Sequence, residues 1–231
     1  MIATKPNSVW SWDITKLKGP TKGTYYCLYV VIDIFSRFVV GFTIAKNESS
    51  EIAKEMIEYA CFEQNIEPDQ LTLHSDRGSP MTSGSLIDLF SFLGISQSLS
   101  RPRTSNDNPY SEAQFKTLKY FPDYPEKFES LKEAKDYIEG FLHYYNYCHY
   151  HSGIGYQYPS SVHFGHAETI RDKRAETLSK AYTNNPIRFR NISPDPVSVP
   201  SFATINYPND KKEEIIEQLD KTDTDILIST K

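Results

Sequence analysis

Cysteine is scarce in this sequence of 231 residues: Cys27, Cys61 and Cys148 lie far apart, are odd in number and form no C-x-x-C pair. That pattern argues against a structural zinc site or a redox motif, and a reducing cytosol is the simplest compartment. A long apolar run is also missing. The first residues, MIATKPNSVW, have no signal-peptide core, and the most apolar stretch, Tyr25 to Ile44, is broken by Asp33, Ser36 and Arg37. Neither secretion nor a membrane partner is expected, and the expected location is the cytoplasm. Basic residues are not in excess either. Lys and Arg number 25 against 30 Asp and Glu, a net charge of −5, which argues against coating nucleic acid by bulk electrostatics. Residues 209–231 carry seven acids against four lysines, so the body is near neutral and any DNA contact has to come from local clusters. There is no internal repeat and no low-complexity block.

What is present is hydrophobic patterning of two periods. SVWSWDIT alternates from Ser8 to Thr15, with Trp10, Trp12 and Ile14 on one face and Ser11, Asp13 and Thr15 on the other, which predicts a strand. Tyr25 to Ile34 and Phe38 to Ala45 are rich in valine, isoleucine and aromatics and predict antiparallel neighbours. Ala53, Met56, Ile57, Ala60 and Cys61 recur at helical spacing and predict a helix from Ser50 to Gln64. A short strand ending at Ser75, a helix from Thr82 to Leu93 stopped at Gly94, a strand from Ile95 to Leu99 and a helix opened by Asn108 and Pro109 complete the order. The expected fold is α/β, a five-stranded mixed sheet flanked by helices. A long helix from Leu131 to Tyr147 with an aromatic stripe, a turn-rich stretch from His149 to Pro159 and a helix from Ala167 to Tyr182 follow. PIRFRNISPDPVSVP is too proline-rich for regular structure. The expected division is a core over 1–165, a helical and proline-rich extension over 166–208, and an acidic tail over 209–231 that frays.

Three acids invite comparison. Taken singly, each has an ordinary explanation. Asp13, between a tryptophan and an isoleucine in a strand, can bond a neighbouring backbone group or Lys16. Asp76 can close its own turn ahead of Arg77 and Gly78. Glu112 can favour the helix dipole and pair with Lys116 four residues on. Asp33 reads as structural, through an ion pair with Arg37 or a turn cap, and His74 as a strand residue with a satisfied ring. Taken together, Asp13, Asp76 and Glu112 each lie on or just after an element that borders one end of the same sheet. Three carboxylates at one point resist joint ionisation unless a cation is present, and hard oxygen ligands suit Mg²⁺ or Mn²⁺ rather than zinc. Two such ions about 3.5–4 Å apart can activate a nucleophile and stabilise a leaving oxygen in displacement at phosphorus.

WSWDIT, HSDRGSPM and NDNPYSEAQFKTLK resemble the three acidic signatures of the integrase-like (DDE) insertion-sequence transposases, whose catalytic core is shared with retroviral integrases. The gap of 35 residues between Asp76 and Glu112, with Lys119 seven after Glu112, is the specific part. YYNYCHYHSGIGYQYPSSVHFG and AYTNNPIRFR extend the resemblance, which runs from about Ser8 to Pro208. It implies a ribonuclease H-like fold, an integrase catalytic core over 1–165, and Asp13, Asp76 and Glu112 as ligands of two Mg²⁺ ions, with Mn²⁺ able to substitute. It also implies that Lys119 and Lys116 face DNA phosphate. Arg101 and Arg103, in the loop ahead of Glu112, are further candidates for phosphate contact.

The implied activity is divalent-metal-dependent cleavage at mobile-element ends and strand transfer into target DNA, by at least a dimer on DNA. The same resemblance implies an N-terminal helix-turn-helix region that recognises element ends. With Met1 only a few residues before the first catalytic strand, that region is expected on a separate polypeptide, or the chain is a shortened copy. The residues after Asn146 are less basic than the family pattern, and Phe121 stands where a basic residue is frequent, which implies a weaker grip on DNA. Two other readings stay open: a simple nuclease of the same fold, and a non-catalytic fragment that binds DNA or an intact transposase.

Overall fold

The computed structural model describes residues 1–102, 104 and 107–206. Arg103 and the acidic tail over 209–231 lie outside the described residues. The main sheet contains β2 (Val9–Lys18), β3 (Tyr25–Asp33), β4 (Val39–Ala45), β5 (Thr72–Ser75) and β6 (Ser96–Leu99), and a short β1 (Ile2–Ala3) precedes them. Its spatial order is β4-β3-β2-β5-β6. β2, β3 and β4 form an antiparallel meander, while β5 and β6 continue parallel to β2. The parallel step needs crossovers, supplied by α1 (Ser50–Glu63) and α2 (Gly84–Leu93). The remaining helices are α3 (Pro109–Lys119), α4 (Leu131–Tyr147), α5 (Pro159–His163) and α6 (Ala167–Asn184).

Helices cover both faces of the sheet. Trp10 and Trp12 of β2 pack with Ala53, Ile57 and Ala60 of α1 and Leu86 and Phe90 of α2. On the other face Leu17, Leu28, Val30 and Ile32 meet Phe115 and Leu118 of α3 and Ile138, Phe141 and Leu142 of α4. β3 is buried on both sides, which is why YYCLYVVI reads as a continuous apolar run rather than an alternating one. Along α4 the stripe divides: Phe141 and Tyr145 are buried, whereas Tyr144 stays partly exposed against Phe121, with ring centroids 5.2 Å apart. Phe121 also meets Phe141 at 5.4 Å, so a phenylalanine at this position joins α3 to α4 by packing.

The β3–β4 turn is closed by Asp33. Its carboxylate accepts from Ser36 N and Ser36 Oγ and from Asn7 N, each at 2.7 Å. Arg37, at φ 65° in that turn, lies 4.3 Å from the centre of the Tyr110 ring instead of pairing with Asp33. Of the two structural roles expected for Asp33, the turn cap is the one observed. Edge strand β4 is finished by a side chain: Asn146 Oδ1 accepts from Val39 N at 2.9 Å and its Nδ2 donates to Val39 O at 3.0 Å. Asn146→Ala orphans both backbone groups and is expected to lower stability by about 1–3 kcal/mol in urea unfolding.

One expectation is corrected. The proline-rich stretch contains a 3₁₀ turn at Pro186–Phe189, because prolines at the start of a turn supply the required φ without losing a needed N–H. Beyond it β7 (Ala203–Thr204) pairs antiparallel with β1, and Ala203 and Ile205 are buried with Ala3, Val9 and Ile34. Two-residue strands have no period to detect, so neither was expected. Among the described residues no helix is long and apolar enough to cross a membrane.

Candidate active site

Alternation along β2 turns Ser11, Asp13, Thr15 and Leu17 toward α3 and α4, opposite Trp10 and Trp12. Asp13 is half-buried, and its Oδ1 accepts from Ile14 N at 2.7 Å. β5 lies beside β2 in parallel register that ends at Trp12 opposite Ser75. Asp13 and Asp76 are each the next residue, on strands that neighbour one another at about 4.8 Å. Asp76 follows the C-terminal end of β5, and its Oδ1 accepts from Ser100 Oγ at 2.6 Å.

Glu112 arrives on α3, which is fastened along β2 by polar side chains. Ser11 Oγ and Ser111 Oγ are 2.7 Å apart, and Lys119 Nζ donates to Thr15 Oγ1 at 2.6 Å. Asn108 was expected to cap the helix, but its side chain caps nothing. It is buried, accepts from Ser11 Oγ and donates through Nδ2 to Trp12 O at 3.1 Å. The demand of the buried Trp12 carbonyl and Ser11 hydroxyl for partners takes precedence over a cap at a helix end where proline already removes one N–H. These contacts set α3 against the middle of β2, and Glu112 follows Ser111. Among the described residues no ion pair joins Glu112 to Lys116. Nor does Lys16 serve Asp13, since it pairs with Glu48 at 3.9 Å.

The three carboxyl groups feel one another. Burial pushes Asp13 up to about 6; the Ile14 N–H opposes this, the negative charges of Asp76 and Glu112 add to it, and Lys119 opposes it. Glu112 is raised by burial and then by Asp76. Lys119 is lowered by burial, with Asp13 acting the other way. Among the described residues, however, no three His, Cys, Asp or Glu side chains are gathered into a ready-made metal cage. The donor chemistry fits a hard divalent cation: the acids offer only oxygen, and their mutual repulsion is what such a cation relieves. Glu112 is exposed, and so free to move toward the two aspartates.

The other expected contacts divide. Lys116 is exposed on α3, whereas Arg101 is already engaged. Its Nε and Nη2 grip the two oxygens of Asp107 at 2.9 and 2.7 Å, and its backbone N donates to the same carboxylate at 2.7 Å. The hydrogen bonds from Arg101 hold Asp107 down at about 2. Arg101 thus pairs with Asp107 while its side chain stays 65% exposed, so that a phosphate contact remains open to it. His74 has the satisfied ring expected of it, 3.1 Å from Ser98 Oγ and 2.9 Å from Asp107 O. Ser11, Thr15, Ser100, Asp107 and Ser111 were not singled out from sequence, and Asn108 was read only as a helix cap. For Ser11 and Thr15 the signal was available, since both share the alternating face of Asp13.

An integrase core domain family model matches residues 3–105, and a second model of the same description matches residues 93–159. The chain is 36% identical over 159 residues to the transposase for insertion sequence element IS904 of Lactococcus lactis, covering 68% of this chain and 61% of that relative. It is 29% identical over 117 residues to transposase InsF for insertion sequence IS3A of Escherichia coli, covering 51% of this chain and 40% of the relative. The chain thus spans less than two thirds of either relative. Among solved structures it resembles a chain of the simian T-cell lymphotropic virus intasome in complex with a PP2A regulatory subunit. That match has a TM-score of 0.58, 23% identity, and coverage of 70% of this chain and 55% of that one. It also resembles the HTLV-2 integrase catalytic core domain in complex with magnesium, with a TM-score of 0.53, 20% identity, and coverage of 69% and 97%. The mixed five-stranded sheet and these likenesses identify the fold as ribonuclease H-like.

Proposed function

The chain belongs to the integrase-like insertion-sequence transposases, and we propose that it carries the catalytic site for divalent-metal-dependent DNA cleavage and strand transfer. The observation that supports this reading is the register of β2 and β5, which sets Asp13 and Asp76 one residue past the paired Trp12 and Ser75, with α3 and its Glu112 fastened to β2 through Ser111. In this reading Asp13 and Asp76 are the fixed ligands, and Glu112, on the exposed face of α3, completes the set. Divalent ions held there by Asp13, Asp76 and Glu112, Mg²⁺ or Mn²⁺, would supply activation of the attacking oxygen and stabilisation of the leaving one.

The chain's own residues hold and orient. β2 and β5 carry Asp13 and Asp76 at neighbouring register positions, and the Asn108 and Ser111 contacts fasten the helix that bears Glu112. Lys119, at the other end of α3 and within the field of Asp13, contacts a DNA phosphate, with exposed Lys116 beside it. Lys119→Ala is expected to weaken DNA binding about equally across sequences and to reduce the slope of log affinity against log salt by about 1, read from fluorescence anisotropy titrations. The DNA partners are element ends and target, and pairing two ends calls for a homo-oligomer on DNA. A helix-turn-helix region, on this or a separate polypeptide, selects the ends.

The test is a strand-transfer assay with paired element-end oligonucleotides and Mg²⁺, run on the wild type and on Asp76→Asn. Joined product from the wild type alone is expected. Equal product from both sinks the catalytic assignment, cleavage without joining favours a simple nuclease, and no product from either favours a non-catalytic fragment.

A further inference from the structure

Ser100 follows β6 and is buried, 4% exposed, and its backbone is tied to the β5 side twice over. Ser100 N donates to Ser75 O at 2.9 Å, and Arg77 Nε donates to Ser100 O at 2.8 Å. Those two bonds hold the chain in place without help from the side chain. The hydroxyl spans the gap between strands to Asp76 Oδ1 at 2.6 Å.

Which way its proton points follows from His74. The ring Nε2 sits 2.9 Å from the carbonyl oxygen of Asp107, which can only accept, so Nε2 carries a hydrogen and donates. Nδ1, 3.1 Å from Ser98 Oγ, is left to accept from that hydroxyl in the neutral ring. Nε2 also approaches Ser100 Oγ at 3.5 Å, but a nitrogen that already bears its hydrogen there cannot accept the serine proton. The Ser100 hydroxyl therefore donates to Asp76, and among the described residues no partner holds the other carboxylate oxygen of Asp76.

We infer that Ser100 is a positioning residue for the metal site: its buried hydroxyl fixes the rotamer of Asp76 through Oδ1 and leaves Oδ2 for the cation. Ordering a ligand's carboxylate before the ion arrives raises affinity without touching the ion, and removing such a partner weakens metal binding by 10- to 100-fold. His74 contributes by occupying its own hydrogen-bonding capacity on Asp107 and Ser98, so that it does not compete for the Ser100 proton.

The inference rests on the reading of Asp76 as a metal ligand, and the experiment keeps the two apart. Mn²⁺ is titrated into the metal-free full chain, and free ion is followed by electron paramagnetic resonance for the wild type, Ser100→Ala, Ser100→Thr and Asp76→Asn. The expected dissociation constant rises about 10- to 100-fold in Ser100→Ala. Ser100→Thr, which keeps the hydroxyl, is expected to stay within about threefold of the wild type, and Asp76→Asn to lose binding. Melting without metal shows whether Ser100→Ala remains folded; if it does not, the threonine variant decides. Wild-type affinity in Ser100→Ala beside lost binding in Asp76→Asn overturns the role of Ser100 alone, as does a threonine variant no better than alanine. Unchanged binding in Asp76→Asn, or no binding by the wild type, overturns the reading of Asp76 itself.

Discussion

Asp13→Asn is expected to abolish strand transfer, a loss on the order of 10³-fold or more, equivalent to about 4 kcal/mol of barrier, while making the metal-free protein more stable. The two effects share a cause. Burial, and then the charges of Asp76 and Glu112, push Asp13 from its ordinary 3.8 up to about 6. An acid raised in this way favours the folded state fully below about pH 4, where it is protonated folded or unfolded, and that contribution is lost as pH rises through 6. Above that the ionised carboxylate costs up to about 3 kcal/mol relative to a neutral group. Asparagine removes the charge and can still accept from Ile14 N. In metal-free buffer at pH 8 its melting temperature is therefore expected to exceed the wild type's by roughly 6–12 °C, converging below about pH 4. Added Mg²⁺ should raise the wild type's melting temperature and leave the variant's unchanged, since a ligand stabilises only the form that binds it. A variant that matches the wild type at pH 8 without metal contradicts the electrostatic account.

The second large effect is expected at a residue with no role in the chemistry. Asn108→Ala removes the donor to the buried Trp12 carbonyl and leaves Ser11 Oγ with Ser111 as its remaining partner, a cost of about 1–3 kcal/mol by urea unfolding. The same contacts set the height of α3 on β2, and a displacement of about 1 Å in a reacting group lowers rate by roughly 10²-fold. Strand transfer is thus expected to fall by about two orders of magnitude at temperatures where the variant is fully folded. Loss of stability with full activity would show that Glu112 is held in place by other contacts, the Ser11–Ser111 and Lys119–Thr15 pairs being the alternatives.

Much of this architecture is legible in the sequence, for reasons that particular residues make plain. The alternation of Trp10, Trp12 and Ile14 marks β2 because large apolar side chains on one face leave no other economical periodicity. Ala53 through Cys61 mark α1 in the same way. Gly94 stops α2 with φ 66°, a backbone region that glycine enters without penalty. The candidate acids could be named because Asp13 sits among apolar residues, where an unpartnered charge is costly, and because the spacing of Asp76 and Glu112 resembles a known family.

What stayed hidden is pairwise. Nothing in NDNPYSEAQF shows that Asn108 reaches Ser11, 97 residues away in the chain, in preference to its own helix end. Nor does the sequence show that Arg101 pairs with Asp107, six residues on. The pairing of β1 with β7 joins Ile2 to Thr204 through two residues each, too few to carry a pattern. Polar side chains that recruit a distant partner leave no periodic trace, and in this protein such side chains fasten the helix that carries Glu112 and bond to Asp76.

The central claim is that Asp13, Asp76 and Glu112 share a divalent-cation site. Anomalous diffraction from crystals of the full chain soaked in Mn²⁺ tests it most directly. The account predicts a peak within about 2.0–2.3 Å of oxygens from both aspartates, with Glu112 drawn in to complete the shell. An anomalous map with no peak between Asp13 and Asp76, from crystals in which Mn²⁺ is bound elsewhere, would contradict it.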